Sequence, residues 1–473
     1  MSAVETEKAD FIQDKVIREH LTKGTELAKD RNYIESLISK ASEGHGLSID
    51  EVSALLHVED DDLLDKIYQA SIKIKQEIYG NRIVMFAPLY VSSYCVNGCK
   101  YCGYKCTNKE TRKKLSKEEL MREVELIEDL GHKRIVIEAG EDPVNCPIDY
   151  ITDCMKTIYS VKKGNGSIRR INVNIAATTV ENYKKLKEAG IGTYTLFQET
   201  YHRETYAKLH PTGPKHDYDY HTTAMDRAIE AGIDDVGIGV LYGLYDYKYE
   251  TIGIFLHSKH LEEKFNGVGP HTISVPRLRP AEGVNYENFP YLVSDHDFKK
   301  LVAIIRLAVP YTGMILSTRE EPNFREEVIA VGISQISAGS CTDVGGYEDE
   351  YGEAPTPAAS QFVVSDHRTP IEILKLLCNN GYIPSYCTAC YRQGRTGERF
   401  MSLAKTGNIH NCCLPNAIMT FKEFLLDYAD DELKKIGEKT IEKNLQDITS
   451  EKAKEETIKR LKRIEAGERD LYF

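Results

Sequence analysis

The sequence predicts an α/β protein built on a parallel (βα)8 barrel of the TIM type. From residue 82 onward, short runs rich in β-branched residues alternate with amphipathic stretches of helical period. Eight such runs can be counted, which is the number of strands that closes a βα barrel. The motif EAGI, at residues 188–191 and 230–233, is typical of a helix that ends at glycine before the next strand. A doubly wound open sheet is the alternative, because short strands are hard to count from one sequence.

The predicted elements fall into three segments. Residues 1–80 are expected to form an N-terminal helical segment, in which one helix begins with a capping box at Ser48 and Glu51. Residues 81–380 are expected to form the barrel, and residues 381–473 a C-terminal helical domain that contains a second group of cysteines. The predicted strands are 83–90, 134–138, 171–175, 193–197, 235–238, 272–278, 313–317 and 334–337. The predicted helices of the barrel are 117–130, 180–189, 224–231, 297–309, 323–331 and 370–377.

Composition and charge limit the classes of function. The chain has 473 residues and a formal net charge of −12, so a general affinity for nucleic acid or for an anionic membrane surface is not expected. Its longest apolar run, residues 83–91, is too short to span a bilayer, and its first residues are polar and acidic. We therefore expect a soluble cytoplasmic protein. Its 12 cysteines are then not expected to form disulfides, and eight of them lie in two groups of four, a pattern typical of metal sites.

The first group of cysteines follows the first predicted strand, where the active-site mouth of a barrel lies. Cys95, Cys99 and Cys102 have the spacing C-x3-C-x2-C, and three thiolates can bind three corners of one 4Fe–4S cluster. The fourth iron is then open to the amino and carboxylate groups of S-adenosylmethionine, so that one electron can break a C–S bond and produce a carbon radical. Because Cys106 supplies a fourth thiol, a four-cysteine zinc site and a fully ligated ferredoxin-type cluster are the alternatives. The spacing favours neither, since only one x2 pair is present and Thr107 rather than proline follows Cys106.

This loop, with Tyr101 just before its last cysteine, resembles that of the radical S-adenosylmethionine superfamily. The resemblance implies that a 5′-deoxyadenosyl radical is the reactive species and that Tyr101 covers the adenine or the cluster. It also implies cofactor contacts from short segments at the ends of strands two, four and five. These are Ala139, Gly140 and Glu141 near the methionine amino group, Glu199 near the methionyl end, and Gly237 and Gly239 near the adenine. Each segment is equally compatible with an ordinary turn at the end of a strand.

The second group contains a CxxC pair, Cys387 and Cys390. Cys412 and Cys413 follow 22 and 23 positions after Cys390. Three thiolates would again fit a 4Fe–4S cluster with one open iron. A zinc site is the alternative, with His410 as the nearest further ligand.

Residues 82–413 more specifically resemble the radical S-adenosylmethionine tyrosine lyases that mature FeFe-hydrogenase. The signature C-x2-C-x22-C of that family selects Cys387, Cys390 and Cys413, with Cys412 as the alternative third ligand. The resemblance implies that L-tyrosine is cleaved to p-cresol and dehydroglycine. It implies further that the fragment becomes CO and cyanide at the second cluster, where a histidine and free L-cysteine hold an additional iron. The product is an Fe(CO)2(CN) synthon for the hydrogenase H-cluster.

His271 resembles the iron-ligating histidine of that family. It opens the sixth strand, so we expect it at the N-terminal mouth of the barrel, opposite the first cluster, with a channel for small molecules between the two ends. A hydrogen bond to a backbone carbonyl near the start of a strand is the alternative role for this side chain.

The tyrosine substrate needs a cation for its carboxylate. Arg319, at the end of strand seven, is expected to form that pair, and Ser337 and Ser340 are expected to bind the same end of the substrate. Arg277 and Arg279 are the alternatives, and each of the three arginines could instead form a salt bridge within the barrel.

The same resemblance implies a low-potential electron donor, such as reduced ferredoxin or flavodoxin, and contacts with other hydrogenase maturation proteins. Two rival classes of function remain open. Tyrosine lyases of the thiazole branch of thiamin synthesis share the barrel but lack the C-terminal cysteines and stop at dehydroglycine. A non-enzymatic iron–sulfur protein, or a binding module structured by zinc, would hold metal without cleaving S-adenosylmethionine.

Overall fold

The computed structural model describes residues 7–109, 111–281, 283–353 and 360–473. The N-terminal part is helical, as predicted, although residues 1–6 of the predicted segment lie outside the described residues. Ser48 and Glu51 form the predicted capping box, in which each side chain bonds to the backbone N–H of the other residue. The helices are α1 (Asp14–Leu27), α2 (Arg31–Ala41), α3 (Ile49–Leu56) and α4 (Asp61–Tyr79).

Eight parallel strands close into a barrel, which confirms the predicted fold and excludes the open doubly wound sheet. Each strand pairs with the next one along the chain, and the first strand pairs with both the second and the eighth. The strands are β1 (Arg82–Ser92), β2 (Arg134–Ala139), β3 (Arg170–Asn174), β4 (Thr193–Thr195), β5 (Asp235–Gly239), β6 (Thr272–Ser274), β7 (Gly313–Leu316) and β8 (Gln335–Ser337). The strand β6 is shorter than predicted, because Pro276 has no N–H to donate to a neighbouring strand.

Helices cover the outside of the barrel and connect its strands, as expected for βα units. They are α5 (Lys117–Asp129), α6 (Ile148–Ser160), α7 (Val180–Glu188), α8 (Arg203–Leu209), α9 (Tyr218–Thr222), α10 (Ala224–Glu230), α11 (Tyr247–Lys264), α12 (Asp295–Ala308), α13 (Pro322–Val331) and α14 (Gly346–Tyr351). No helix of the described residues is long and apolar enough to cross a membrane.

The strand β1 contributes to both the hydrophobic core and the barrel interior. Its outward residues Ile83, Met85, Ala87 and Leu89 are fully buried in the core. Its alternate residues Val84, Phe86, Pro88 and Tyr90 line cavities inside the barrel. Because successive side chains of a strand point to opposite faces and both faces are covered here, the strand reads as one continuous apolar run.

The chain after residue 381 packs against the N-terminal end of the barrel. A ninth strand, β9 (Ile383–Ser385), which was not predicted, pairs in parallel with the first three residues of β1. This pairing carries the second cysteine group to the barrel, since Cys387 follows closely after β9. The remaining helices are α15 (Pro370–Asn379), α16 (Ala389–Arg392), α17 (Gly397–Lys405), α18 (Ile409–Asp427), α19 (Asp431–Gln446) and α20 (Glu451–Glu465). The helix α18 packs on β9 and on α4.

Candidate active site and a second thiol-lined cavity

A cavity lies at the carboxyl ends of the barrel strands, where such barrels have their active sites. Cys95, Cys99 and Cys102 line it together, on the loop that leaves β1. Cys106 is exposed and is not part of the cavity wall. The structure thus brings together three thiols of the first group and leaves the fourth outside.

Asn97, between the first two of these cysteines, anchors the loop. Its side-chain amide donates to the Glu141 carboxylate at 2.6 Å, and its side-chain oxygen accepts from the backbone N–H of Lys215 at 3.0 Å. Gly140 is required next to the loop, because a Cβ at that position would lie 2.3 Å from the carbonyl oxygen of Tyr94. These contacts join the cysteine loop to the segments that follow β2 and α8.

The three thiols suit an iron–sulfur cluster better than a single metal ion. Among the described residues, no group of three or more His, Cys, Asp or Glu side chains is arranged to hold one ion. A 4Fe–4S cube is larger than an ion, so its protein ligands stand further apart. Nitrogen donors point at two of the sulfur atoms, since the Tyr104 backbone N lies 3.4 Å from Cys102 Sγ and Asn97 Nδ2 lies 3.8 Å from Cys95 Sγ. Burial raises the pKa of Cys102 to about 11, so bound metal is what would make it a thiolate at neutral pH.

Most of the residues predicted to bind S-adenosylmethionine share this cavity. Its wall includes Tyr101, Ala139, Gly140, Glu141 and Glu199. The predicted adenine contacts Gly237 and Gly239 are not on that wall. A Cβ at Gly237 would lie 2.4 Å from Thr272 Oγ1, and one at Gly239 would lie 2.6 Å from the Ser274 carbonyl oxygen. Both glycines therefore permit close packing of β5 against β6 and do not form the surface of the cavity.

Glu199 has an unusual backbone conformation. Its φ of 68° lies in the left-handed region, which is uncommon for residues other than glycine. Its carboxylate accepts a hydrogen bond from Lys215 Nζ at 2.6 Å, and both side chains are largely buried in the cavity wall. Strained residues of this kind persist where the surrounding structure holds them, and they cluster at functional sites. The pair therefore offers a fixed negative and a fixed positive charge to a zwitterionic ligand.

Arg319 reaches the same cavity from the end of β7, and Ser337 and Ser340 lie on the same wall. The Arg319 guanidinium lies 3.4 Å from the centre of the Phe362 ring, and it has no ion-pair partner in the part of the chain that the structure describes. The hydroxyl of Ser340 is buried and likewise has no hydrogen-bond partner there. Burial raises the pKa of Glu138, on the same wall, to about 8. Glu138 is therefore mostly protonated at neutral pH and does not neutralise Arg319.

The two alternative arginines are engaged in salt bridges. Arg277 pairs with Glu320 and, at 2.7 Å, with Asp295, and Arg279 pairs with Glu320 at 2.9 Å. Neither arginine lines the first cavity. Of the three arginines, only Arg319 is thus positioned to meet a ligand there.

A second cavity lies at the opposite, N-terminal end of the barrel. Cys387, Cys390, Cys413 and His271 line it, whereas Cys412 and His410 do not. A hydrogen bond from Cys390, together with the positive charge of Arg82, lowers the pKa of Cys413 to about 5. The backbone N of Ala389 lies 3.4 Å from Cys387 Sγ, which repeats the N–H to sulfur contact of the first cavity.

His271 presents a neutral imidazole at the wall of the second cavity. Burial, and then the charges of nearby arginines, lower its pKa well below the usual value, so the imidazole is neutral and has a lone pair to offer. Its Nε2 lies 3.1 Å from the Tyr391 hydroxyl, and its Nδ1 lies 3.5 Å from the Asp235 carboxylate. The contact with Asp235 is not a hydrogen bond, because His271 Nδ1 has no hydrogen-bond partner among the described residues. The His271 side chain makes no hydrogen bond to a backbone carbonyl of the described residues.

Two arginines, Arg82 and Arg134, line the second cavity, and a third, Arg170, stacks on the ring of Tyr391 in its wall. Arg82, Arg134 and Arg170 begin β1, β2 and β3, and each is buried with at least one side-chain nitrogen that lacks a hydrogen-bond partner among the described residues. Burial lowers the pKa of Arg134 to about 10, although the sulfur atoms of Cys387 and Cys390 oppose that shift. Buried cations require nearby anions, and a thiolate-bound iron–sulfur cluster is an anion that fits this donor set.

One side chain lines both cavities. Gln335, at the first position of β8, belongs to the wall of each. Gly313 on the neighbouring strand leaves room for it, because a Cβ there would lie 2.5 Å from Gln335 Nε2. Other interior positions are also polar, namely Asn172, Thr195, Ser274 and Ser337. Since TIM barrels usually fill this space with branched apolar side chains, the interior is unusually suited to polar small molecules.

Several residues of the two walls were missed by the sequence predictions. Three of them have a local signal in the sequence that could have identified them. Asn97 lies between two cysteines of a predicted cluster loop, and Arg134 and Glu138 are charged residues at the start and near the end of the apolar strand β2. Lys215 and Gln335 have no such local signal, because only the closed barrel brings them to the cavities.

Comparison with known proteins shows two family matches along this chain. Residues 89–257 match the Radical SAM superfamily, and residues 274–383 match the Biotin and Thiamin Synthesis associated domain. The 2-iminoacetate synthase of Salmonella typhimurium is 33% identical over 352 residues, which are 73% of this chain and 89% of that protein. The 2-iminoacetate synthase of Escherichia coli K12 is 30% identical over 363 residues, covering 76% of this chain and 93% of that protein.

Two crystal structures resemble nearly the whole chain. The structure of HydG, a maturase of the FeFe-hydrogenase, superposes with a TM-score of 0.94 at 66% identity and covers 98% of this chain and 100% of that chain. The structure of the FeFe-hydrogenase maturase HydG from Carboxydothermus hydrogenoformans has a TM-score of 0.82 at 38% identity and covers 95% of this chain and 98% of that chain. The similarity therefore includes the C-terminal segment as well as the barrel.

Proposed function

This chain belongs to the HydG family of the radical S-adenosylmethionine superfamily, and from this premise we propose that it is a tyrosine lyase of FeFe-hydrogenase maturation. The first cavity cleaves L-tyrosine to p-cresol and dehydroglycine. In the second cavity, Cys387, Cys390 and Cys413 would hold a second cluster, and His271 and free L-cysteine would hold an additional iron. That centre would supply the chemistry that converts dehydroglycine to CO and cyanide. The product is an Fe(CO)2(CN) synthon for assembly of the hydrogenase H-cluster.

The observation that carries this proposal is the presence of two thiol triads at opposite ends of one barrel. A lyase that stopped at dehydroglycine would need only the first cavity. In the second cavity, three thiols and a neutral histidine form a donor set for a second metal centre, and buried arginines supply charge that an anionic cluster would balance. The side chain of Gln335, which lines both cavities, supports the passage of a small fragment between them.

In the first cavity, the chain's own residues hold the reactants. Cys95, Cys99 and Cys102 would hold a 4Fe–4S cluster, which together with S-adenosylmethionine supplies a 5′-deoxyadenosyl radical that takes hydrogen from the tyrosine amino group. Glu199 and Lys215 are the charged side chains available to the methionyl end of the cofactor.

The substrate carboxylate is oriented by a positive charge on the wall of the first cavity. Arg319 binds the tyrosine carboxylate, and the hydroxyls of Ser337 and Ser340 bind the same end of the substrate. Because Glu138 is mostly protonated at neutral pH, it leaves the guanidinium free for this carboxylate.

Replacing Arg319 with alanine is expected to lower kcat/KM for tyrosine about 100-fold, because a charge-assisted carboxylate contact is worth about 3 kcal/mol. The measurement is p-cresol formation over a range of tyrosine concentrations. The matched control is Arg279→Ala, which removes an arginine that pairs with Glu320 outside the cavity. The control is expected to retain kcat/KM within about threefold. Equal p-cresol formation by wild type and Arg319→Ala would show that another group binds the carboxylate.

Replacing Gln335 with leucine is expected to separate the two halves of the reaction. The change keeps the side-chain size but removes the amide that a polar fragment would meet between the cavities. We expect p-cresol formation to stay within about twofold and the yield of CO and cyanide per p-cresol to fall about tenfold, the effect of losing one polar contact. Gln393→Leu, at an exposed position of the C-terminal segment, is the control. An unchanged ratio of CO to p-cresol in Gln335→Leu would contradict passage along this side chain.

Product analysis tests the proposed function as a whole. Anoxically reconstituted protein is incubated with tyrosine, S-adenosylmethionine and dithionite, and p-cresol, CO and cyanide are measured in one sample. All three products are expected. p-Cresol alone would support a lyase of the thiamin type, and the absence of S-adenosylmethionine cleavage would support a non-enzymatic protein, which iron, sulfide and zinc analysis would then characterise.

A further inference from the structure

We infer that a cationic cleft on the outer surface, beside the first cysteine loop, is the docking surface for an acidic protein that carries single electrons. The inference rests on the proposed function, because cleavage of S-adenosylmethionine requires one electron from an external donor. In this step the donor protein loses one electron and the first cluster gains one, and no bond of the chain is made or broken.

The cleft is formed by the cysteine loop, α1, α8 and residues 283–291. Five cations and two carboxylates line it: Arg18, Lys100, Lys105, Arg203, Lys208, Asp14 and Glu204. The whole chain has a formal charge of −12, so this surface is positively charged although the protein as a whole is negatively charged. A local patch of this sign attracts acidic partners selectively.

Two of the lysines are available to a partner. Lys100 and Lys208 are exposed, and Lys100 forms no ion pair with any residue that the structure describes. Lys208 lies 3.9 Å from Glu204, but both side chains are more than 70% exposed, so this pair holds neither of them firmly. By contrast, Arg18 and Arg203 are already paired with aspartates at 2.9 and 2.6 Å.

An apolar cluster that includes a cysteine of the first triad also includes side chains of the cleft wall. Leu244 and Phe289 line the cleft and pack in the same small cluster of buried side chains as Cys99 and Tyr101. Lys100 lies between Cys99 and Tyr101 in the chain. A redox group held in the cleft would therefore approach the first cluster without entering the barrel.

The shape of the surface favours a protein over a small anion. The cationic side chains are spread around an open cleft, and most are exposed to solvent, where each attracts a single small ion only weakly. Tyr291, 41% exposed on the cleft wall, and the neighbouring Leu292, 44% exposed, add apolar area of the kind that protein partners cover. Many separate weak attractions add up only for a large acidic partner.

The experiment reverses the two available charges, in the double variant Lys100→Glu with Lys208→Glu. The matched control is Lys452→Glu with Lys459→Glu, two exposed positions on α20 that change the net charge equally. Reconstituted enzyme is titrated with an acidic flavodoxin to measure Kd at low and at moderate salt. Cleavage of S-adenosylmethionine is then driven either by reduced flavodoxin or by dithionite, which is small enough to need no docking surface.

For the cleft variant, we expect Kd and the KM for flavodoxin to rise at least about tenfold and the salt dependence of binding to weaken. Its dithionite-driven rate is expected to stay within about twofold of wild type, and the control is expected to match wild type in every measurement. Unchanged flavodoxin binding, an equal effect in the control, or equal loss with both reductants would overturn the inference. If wild type fails to cleave S-adenosylmethionine with dithionite, the proposed function fails, and the Kd values still decide whether flavodoxin docks in the cleft.

Discussion

Replacing Cys99 with serine is expected to abolish p-cresol, CO and cyanide together, with a fall of about three orders of magnitude or more. Cys99 is buried between the first cavity and the apolar layer beneath the cationic cleft. Serine oxygen is a poor ligand for iron–sulfur clusters, and no ionisable side chain can replace the radical chemistry that the cluster supports. The measurements are product formation, S-adenosylmethionine cleavage, and iron and sulfide content of the anoxic protein.

The matched control for this prediction is Cys106→Ser. Cys106 is exposed and lies outside the cavity wall, so its loss is expected to leave iron content and product formation near the wild-type values. Equal loss of iron in the Cys106 and Cys99 variants would point to a four-cysteine site and would contradict a cluster with one open iron.

Replacing both Cys387 and Cys390 with alanine is expected to abolish CO and cyanide while p-cresol formation continues within about threefold. The two thiols line the second cavity, which lies at the other end of the barrel from the residues that meet tyrosine. About five iron atoms per chain are expected to be lost, four from the second cluster and one from the additional iron site, and one of two cluster signals should disappear from the EPR spectrum of the reduced protein. Loss of p-cresol in a variant that keeps the first cluster signal would show that the two sites do not act separately.

Two single variants identify the third cysteine of the second site. Cys413→Ala is expected to reproduce the double variant, because Cys413 lines the cavity beside Cys390 and Arg82. Cys412→Ala is the matched control and is expected to retain CO formation, since its side chain is not part of that wall. The opposite result would assign the ligand to Cys412.

Prediction from sequence succeeded where periodicity and local motifs carry the information. The eight barrel strands followed from the alternation of apolar residues, and the capping box at Ser48 and the three thiols of the first cavity followed from short local motifs. The sequence did not predict β9, because this strand has only three residues, contains a proline and shows no alternating pattern. Gly237 and Gly239 pack β5 against β6 and do not line the first cavity, and their contact with the adenine stays a prediction.

By itself, the sequence determined the features that depend only on residues close together in the chain. These are the order of strands and helices and the grouping of the three thiols of the first triad. The three cysteines lie in one short loop, so their side chains are close together without any contact from distant parts of the chain. Only the tertiary structure showed that Cys413 rather than Cys412 lines the second cavity, that Arg82 and Arg134 line it as well, and that Gln335 lines both cavities. The physical reason is closure of the barrel. It gathers the starts of all strands into one ring and their ends into another, and spacing along the chain does not specify which side chains meet there.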